Sequence, residues 1–322
     1  MENTNKIPLL VICGPTASGK TAVGAELALQ LGGEIVSADS MQIYKEPAIA
    51  TAKPTAEEMR GVPHHMIGFL SPEQDFSVAE YVEMASGHIA DIHSRGLLPI
   101  VVGGTGLYIN SLIDNIDFGY AVSDPALRQR LEDDAKSIGA EAMHKRLSEL
   151  DPKAAERIHP NNTVRVIRAI EMCMLSGRTA EENMALSRKN ESPYDVCMIG
   201  LTCFDRSILY DRINRRVDEM IGMGLVEEAR GIYEKYRLKT ASNAIGYKEL
   251  IPYFDNQCTL EDAIEKIKRE TRRYVKRQLT WFRRDARISW IDTANSEQFD
   301  GIINMCKFNI AKSKIMCYNI KE

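Results

Sequence analysis

The chain has 322 residues, 44% of them hydrophobic and 27% charged, with a net charge of −4. That length allows one large domain or two ordinary ones around a sizeable core. No stretch approaches the ~18 apolar residues needed to cross a bilayer, and the seven scattered cysteines, with no C-x-x-C pair or histidine spacing that fits zinc, read as small core residues rather than a disulfide framework.

Met1 to Lys6 leads directly into the apolar run Ile7, Leu9, Leu10, Val11 and Ile12, so a buried first strand is expected and a targeting segment is not. A reducing, cytoplasmic location suits the unpaired cysteines. Gly14-Pro15-Thr16-Ala17-Ser18-Gly19-Lys20-Thr21 follows at once, a complete G-x-x-x-x-G-K-[ST] phosphate-binding loop of the kind that also holds nucleotides such as ATP. The strand delivers the chain to a tight turn whose N–H groups wrap a phosphate at the positive end of the next helix. Val23, Leu27, Ala28 and Leu31 continue that helix to Gly32-Gly33. Lys20 is placed to reach the outer phosphates, and the Thr21 hydroxyl to hold Mg²⁺.

Glu34 to Ala38 reads as a second strand and Leu97 to Val102 as a third, each ending in a polar or glycine-rich turn. In an open α/β sheet such turns share the carboxyl edge, where ligands bind. The phosphate loop, Asp39-Ser40-Met41-Gln42 and Gly103-Gly104-Thr105-Gly106 can therefore converge. From 117 to 193 the pattern is helical: a helix capped by Ser123 with Pro125 in its first turn, one from Ala140 to Leu150, and one from Asn162 through Leu175, stopping at Gly177. A strand over Val196 to Phe204 returns the chain to the sheet. Helices over Arg206 to Gly222 and Leu225 to Tyr236 follow, then a long one opened by the capping box Thr259 to Asp262 and running to about Asp285. Arg287 to Ile291 is a last strand, and the tail after Asn295 carries no signal. The expected fold is α/β, a P-loop NTPase-like core with a parallel sheet flanked by helices, built from 1–116 and 194–295. A helical insertion domain occupies 117–193, and a C-terminal tail 296–322.

A hydrolysing motor would add an apolar strand ending in a Mg²⁺-binding aspartate. Here the third strand ends in glycines, and the strand-terminal carboxylate near the loop is Asp39, so group transfer fits better than hydrolysis. Asp39 could serve as a general base, as a helix cap or as a Mg²⁺ ligand. Gly103 to Gly106 could supply further N–H donors or form a plain glycine turn. Along the long helix, Arg269, Arg273, Lys276 and Arg284 form a basic stripe, while Ile267, Tyr274, Val275, Leu279 and Phe282 can pack inward. Such a stripe is either a solvated helix face or a grip on a polyanion, and Trp281 beside it could stack on an unpaired base. His64, His65 and His159 lack metal-ligand spacing. A small-molecule kinase would explain the loop and the insertion but not the basic helix. An enzyme acting on free adenine nucleotides and a non-catalytic RNA-binding module are further alternatives.

Taken together, Gly14 to Thr21, Asp39 to Tyr44, Gly103 to Tyr108, Arg157 to Asn161 with Arg165 and Arg168, Asn243 to Glu249, and Lys276 to Gln278 with Trp281 to Arg283 resemble the tRNA dimethylallyltransferase family in kind and order. The likeness spans residue 14 to about 284. It implies transfer of a dimethylallyl group from dimethylallyl diphosphate to N6 of the adenosine just 3′ of the anticodon, position 37, in tRNAs that read codons beginning with U. The diphosphate would occupy Gly14, Pro15, Thr16, Ala17, Ser18, Gly19, Lys20 and Thr21, with Mg²⁺ as cofactor on Thr21. Asp39 would be the base on the adenine amine, which is extruded into a channel that the allylic substrate enters from the other side. The residues similar to the family's tRNA contacts are Asp39, Ser40, Met41, Gln42, Thr105, Arg128, Val164, Arg165, Val166, Ile167, Arg168, Ser242, Asn243, Ala244, Ile245, Gly246, Tyr247, Lys276, Arg277, Gln278, Leu279, Thr280, Trp281, Phe282 and Arg283. Asn243 departs from the residue more usual there. The absence of a zinc-finger pattern after Asp292 makes the bacterial type the closer likeness, expected to act as a monomer away from membranes.

Overall fold

In the computed structural model, which describes residues 6–46, 48–119, 123–236, 244–294 and 299–313, strand β1 (Ile7–Cys13) lies at the centre of a six-stranded sheet. The chain runs on through α1 (Lys20–Leu31), β2 (Gly33–Ala38), α2 (Ala56–Met59), β3 (His64–His65), α3 (Val78–Ser94), β4 (Leu98–Gly103) and α4 (Gly106–Ile113). Five helices follow: α5 (Pro125–Ile138), α6 (Ala140–Leu150), α7 (Pro152–Arg157), α8 (Thr163–Ser176) and α9 (Ala180–Ser187). Then come β5 (Tyr194–Thr202), α10 (Arg206–Gly222), α11 (Leu225–Tyr236), α12 (Ile251–Phe254), α13 (Leu260–Phe282), β6 (Ile288–Asp292) and α14 (Phe299–Lys312). The chain forms two compact units, one from 1–113 with 193–322 and one from 114–192.

All strand pairs are parallel, in the order β3-β2-β4-β1-β5-β6. A parallel sheet must be covered on both faces, and alternating side chains show it. Leu9, Val11, Val36 and Val101 face Tyr81, Ile89 and Ile92 of α3 and Ile109 and Leu112 of α4. Leu10, Ile12, Ile35 and Ile100 face Val23 and Leu27 of α1 together with Ile302, Ile303, Cys306 and Ile310 of α14. The segment past Asn295 that showed no signal thus carries a helix that closes one face of the sheet.

The helical unit has its own core of Leu131, Met143, Leu147, Val166 and Ile170. Its first helix corrects one expectation. Asp124, not Ser123, caps α5, accepting the N–H groups of Ala126 and Leu127 at 2.9 and 3.2 Å. Proline is favoured at the first helical position, which makes the residue directly before Pro125 the cap. Helix α13 begins at the expected capping box, with Asp262 N–H donating to Thr259 Oγ1 at 3.1 Å and Thr259 N–H to Asp262 Oδ2 at 3.2 Å.

Candidate active site

The register pairs Cys13 with Gly103 and Gly103 with Ala38, so β1, β4 and β2 end at one level. The phosphate loop, the turn at Asp39 and the turn at Gly104 therefore leave the sheet side by side. Helix α1 starts at Lys20 behind Gly19 without a side-chain cap and with no acid in its first turn. Its leading N–H groups and positive dipole are left to an anion. Ser18 Oγ donates to the Pro15 carbonyl at 2.9 Å, and Lys20 Nζ folds onto the same carbonyl at 2.6 Å.

Asp39 is half-buried at the end of β2. Its Oδ1 accepts Met41 N–H at 2.9 Å and Gln42 N–H at 3.4 Å, and Oδ2 accepts no hydrogen bond among the described residues. No helix follows it, so the cap reading is not realised; the aspartate closes an Asx turn and keeps one oxygen for another partner. Burial raises the Asp39 pKa above the ordinary carboxylate value, opposed by the Met41 N–H, Lys20, the Gln42 N–H and Arg216. Burial and the nearby Arg216 lower Lys20 to about 8, with Asp39 opposing. A cation that gives up its proton readily thus sits within electrostatic reach of a carboxylate that takes one readily, a combination typical of reactive sites. Arg216 on α10 belongs to this group and matches no local motif.

Two missing side chains seat α13 at the site. A Cβ on Gly104 would lie 2.4 Å from Gln278 Nε2, and one on Gly106 would lie 2.2 Å from Trp281 Cδ1. The glycine turn is therefore a socket for a helix. Thr105 joins the neighbouring turns, its N–H donating to Ala38 O and its Oγ1 accepting Ser40 N–H, both at 3.0 Å. On the outer face of α13, Lys276, Arg277, Thr280 and Trp281 are exposed, as are Arg283 and Arg284 just past its end, whereas Arg273 is paired with Glu270 at 2.7 Å.

Several of the residues similar to RNA contacts have side chains packed or hydrogen-bonded within the protein. Leu279, Phe282, Ala244 and Tyr247 are core side chains of the sheet-bearing unit, and Val166 and Ile167 of the helical unit. A contiguous helical run cannot expose every residue, and its inward side must pack. Met41 packs against Ile43 and Tyr44, and Gln42 Nε2 is bound to the Thr51 and Ala52 carbonyls at 3.2 and 3.1 Å. Ile245 and Gly246 lie beside Tyr247, whose hydroxyl donates to Glu228 at 2.6 Å. Glu228 also accepts the N–H groups of Ala48, Ile49 and Ala50 at 3.0 to 3.1 Å, anchoring the loop beyond Asp39. Ser242 and Asn243 lie outside the described residues.

In the helical unit Val164 and Arg165 are exposed at the start of α8. Arg128 and Arg168 converge on Glu171, which is fully buried, at 3.0 and 2.6 Å. Burial opposes the Glu171 charge, but hydrogen bonds from Arg168, the Asp124 N–H and Arg128 outweigh it and hold the carboxyl below its usual range. The carboxylate fixes two guanidinium groups that remain about one-third exposed or more.

Among the described residues no cluster of three or more His, Cys, Asp or Glu could hold a metal ion, and no helix is long and apolar enough to cross a membrane. Thr21 stands in the first turn of α1, directly after the phosphate loop, and a hydroxyl at that position is the protein group a P-loop offers to Mg²⁺. That donor set suits Mg²⁺, which takes few protein ligands and completes its shell with phosphate oxygens and water.

A parallel sheet ending in a phosphate loop beside a strand-terminal carboxylate defines a P-loop-type α/β group-transfer enzyme. Family models for IPP transferase and isopentenyl transferase match residues 42–285 and 7–67. The chain is 48% identical to the tRNA dimethylallyltransferase of Halalkalibacterium halodurans, over 95% of this chain and 98% of the relative. It is 50% identical to that of Bacillus cytotoxicus, over 92% and 94%. A full-length tRNA isopentenylpyrophosphate transferase from Bacillus halodurans superposes with a TM-score of 0.72 at 45% identity, over 98% of this chain and all of the other. A eukaryotic dimethylallyltransferase, solved in snapshots acting on tRNA, gives 0.83 at 29% identity, over 98% of this chain and 81% of its own. The chain belongs to the tRNA dimethylallyltransferase family.

Proposed function

We propose that the enzyme transfers a dimethylallyl group from dimethylallyl diphosphate to N6 of the adenosine 3′ of the anticodon, in tRNAs reading codons that begin with U. The observation that carries this reading is the shared sheet edge, where the register brings the end of β1, leading into the phosphate loop, level with the end of β2, leading into Asp39. The diphosphate lies in the loop between Gly14 and Thr21, with Lys20 and Arg216 opposite its developing charge. The adenine N6 attacks the allylic carbon, the C–N bond forms as the C–O bond to diphosphate breaks, and Asp39 Oδ2 takes the N6 proton. Thr21 would hold Mg²⁺, which supplies further neutralisation of the leaving group when bound.

The exposed cations of α13 grip backbone phosphates, and Trp281 offers a stacking face. Arg128, Arg165 and Arg168 are the corresponding contacts of the helical unit. The enzyme acts as a cytoplasmic monomer. Mass spectrometry of an anticodon stem-loop RNA after incubation with Mg²⁺ and either dimethylallyl diphosphate or ATP tests the reading. One dimethylallyl group gained only with the allylic diphosphate is expected. ATP consumption stimulated by a small hydroxylated metabolite, with unchanged RNA, would instead assign the loop to a kinase.

Replacing Arg273, Lys276 and Arg277 together with alanine should weaken RNA binding and lower the slope of log affinity against log salt by at most about 2, given ~0.7 per lost phosphate contact on a single strand. Arg273 contributes least, because Glu270 already neutralises it. Filter binding across a salt series measures the slope, and an unchanged slope would remove α13 from the interface.

A further inference from the structure

Helix α13 presents two faces of different chemistry. Lys276, Arg277 and Trp281 look outward, while Gln278 between them is 6% exposed and points into the site. Both ends of its amide are engaged. Oε1 accepts the Thr16 N–H at 3.0 Å and Nε2 donates to the Gly104 carbonyl at 3.0 Å. The partners dictate the orientation, since an N–H requires the amide oxygen and a carbonyl requires the NH₂. Glutamate could satisfy only the first partner and methionine neither. One N–H of the phosphate loop is therefore held by a side chain of the basic helix, 262 positions away.

From this link we infer that Gln278 is a positioning residue that couples occupancy of the RNA face of α13 to the shape of the donor loop. The inference rests on the function proposed above and extends it: diphosphate and RNA bind interdependently through this amide. A ligand that fixes α13 fixes Thr16 through Gln278, and the loop then loses less freedom when the diphosphate enters. The same factor must act in the reverse direction. Without the amide, each ligand orders its own surface and the other gains nothing.

The test uses inorganic pyrophosphate with Mg²⁺ as the donor-site probe and an unmodified anticodon stem-loop RNA, a pair that cannot turn over. Calorimetric titration gives the pyrophosphate Kd with and without saturating RNA. In the wild-type protein RNA should tighten pyrophosphate about fivefold or more, at the lower end of measured couplings. In Gln278→Met the ratio should fall to within about twofold of unity while RNA alone still binds. A purely structural role would weaken both ligands and leave the ratio intact. Gly104→Ala, which keeps the glutamine but drives a methyl group against its Nε2, provides a second variant and should uncouple in the same way. Coupling that survives in both variants, or is absent from the wild type, overturns the inference alone. Failure of the wild type to bind the RNA overturns the proposed function, and the inference falls with it.

Discussion

Asp39→Asn should leave RNA binding in place and cut single-turnover prenylation by roughly 10²-fold or more, the usual loss with a general base. Asparagine retains an oxygen for the Met41 and Gln42 N–H groups, so the Asx turn survives. What it cannot do is accept the N6 proton. The pH profile carries a second signature. A base acts only when deprotonated, so the rate falls as pH falls through the Asp39 pKa. Burial raises that pKa, which places the loss at a higher pH than an ordinary aspartate would give. Rapid-quench measurements across an acidic pH series supply both numbers. An asparagine variant within threefold of wild type would reduce Asp39 to a group that merely orients the adenine.

Lys20→Ala should cost about 10² to 10³ in turnover, the range seen when one preorganised charge is withdrawn from a developing anion. Lys20 rests on the Pro15 carbonyl in the cradle and is poised to leave it for a phosphate oxygen. Because its pKa is lowered to about 8, only the protonated form below that point attracts the diphosphate. The Kd of the donor should therefore rise as pH climbs through about 8, approaching tenfold per unit above it. Lys20→Arg, permanently charged, should flatten that rise even where its shape slows the reaction. Titration of the wild type and the arginine variant at several pH values separates charge from shape. A flat wild-type profile would mean that the lysine does not bind in its charged form.

The parts of the site that follow local rules were open to sequence reasoning. The phosphate loop, the strand ends and the capping box of α13 each depend on neighbouring residues and a short period. Arg216 and Glu228 were not visible, because each acts across a long separation on groups that share no pattern with it. Gln278 stands in a basic run and reads as an RNA contact; only the register of α13 over the glycine socket turns it inward. Strand β3 has two residues, His64 and His65, too few for any alternation. Helix α14 was legible in principle, since Ile302, Ile303, Cys306 and Ile310 recur at helical spacing. Three helices of the helical unit were legible, but the short α7 and α9 were not, and the buried Glu171 that organises Arg128 and Arg168 gave no signal. Sequence shows that charges are near one another along the chain, not which of them share a partner.

The sheet order also sets a timetable for synthesis. The central strand β1 leaves the ribosome first, yet one of its edges waits for β5, whose first residue, Tyr194, pairs with Ile7. The other sheet face waits longer, until α14 arrives to cover Leu10 and Ile12. The helical unit, by contrast, is translated as one uninterrupted stretch with its own core. During elongation it can be complete while the strands around it still lack partners. The catalytic edge is then among the last features to form, and a chain stalled before α13 would carry a phosphate loop without the amide that holds Thr16.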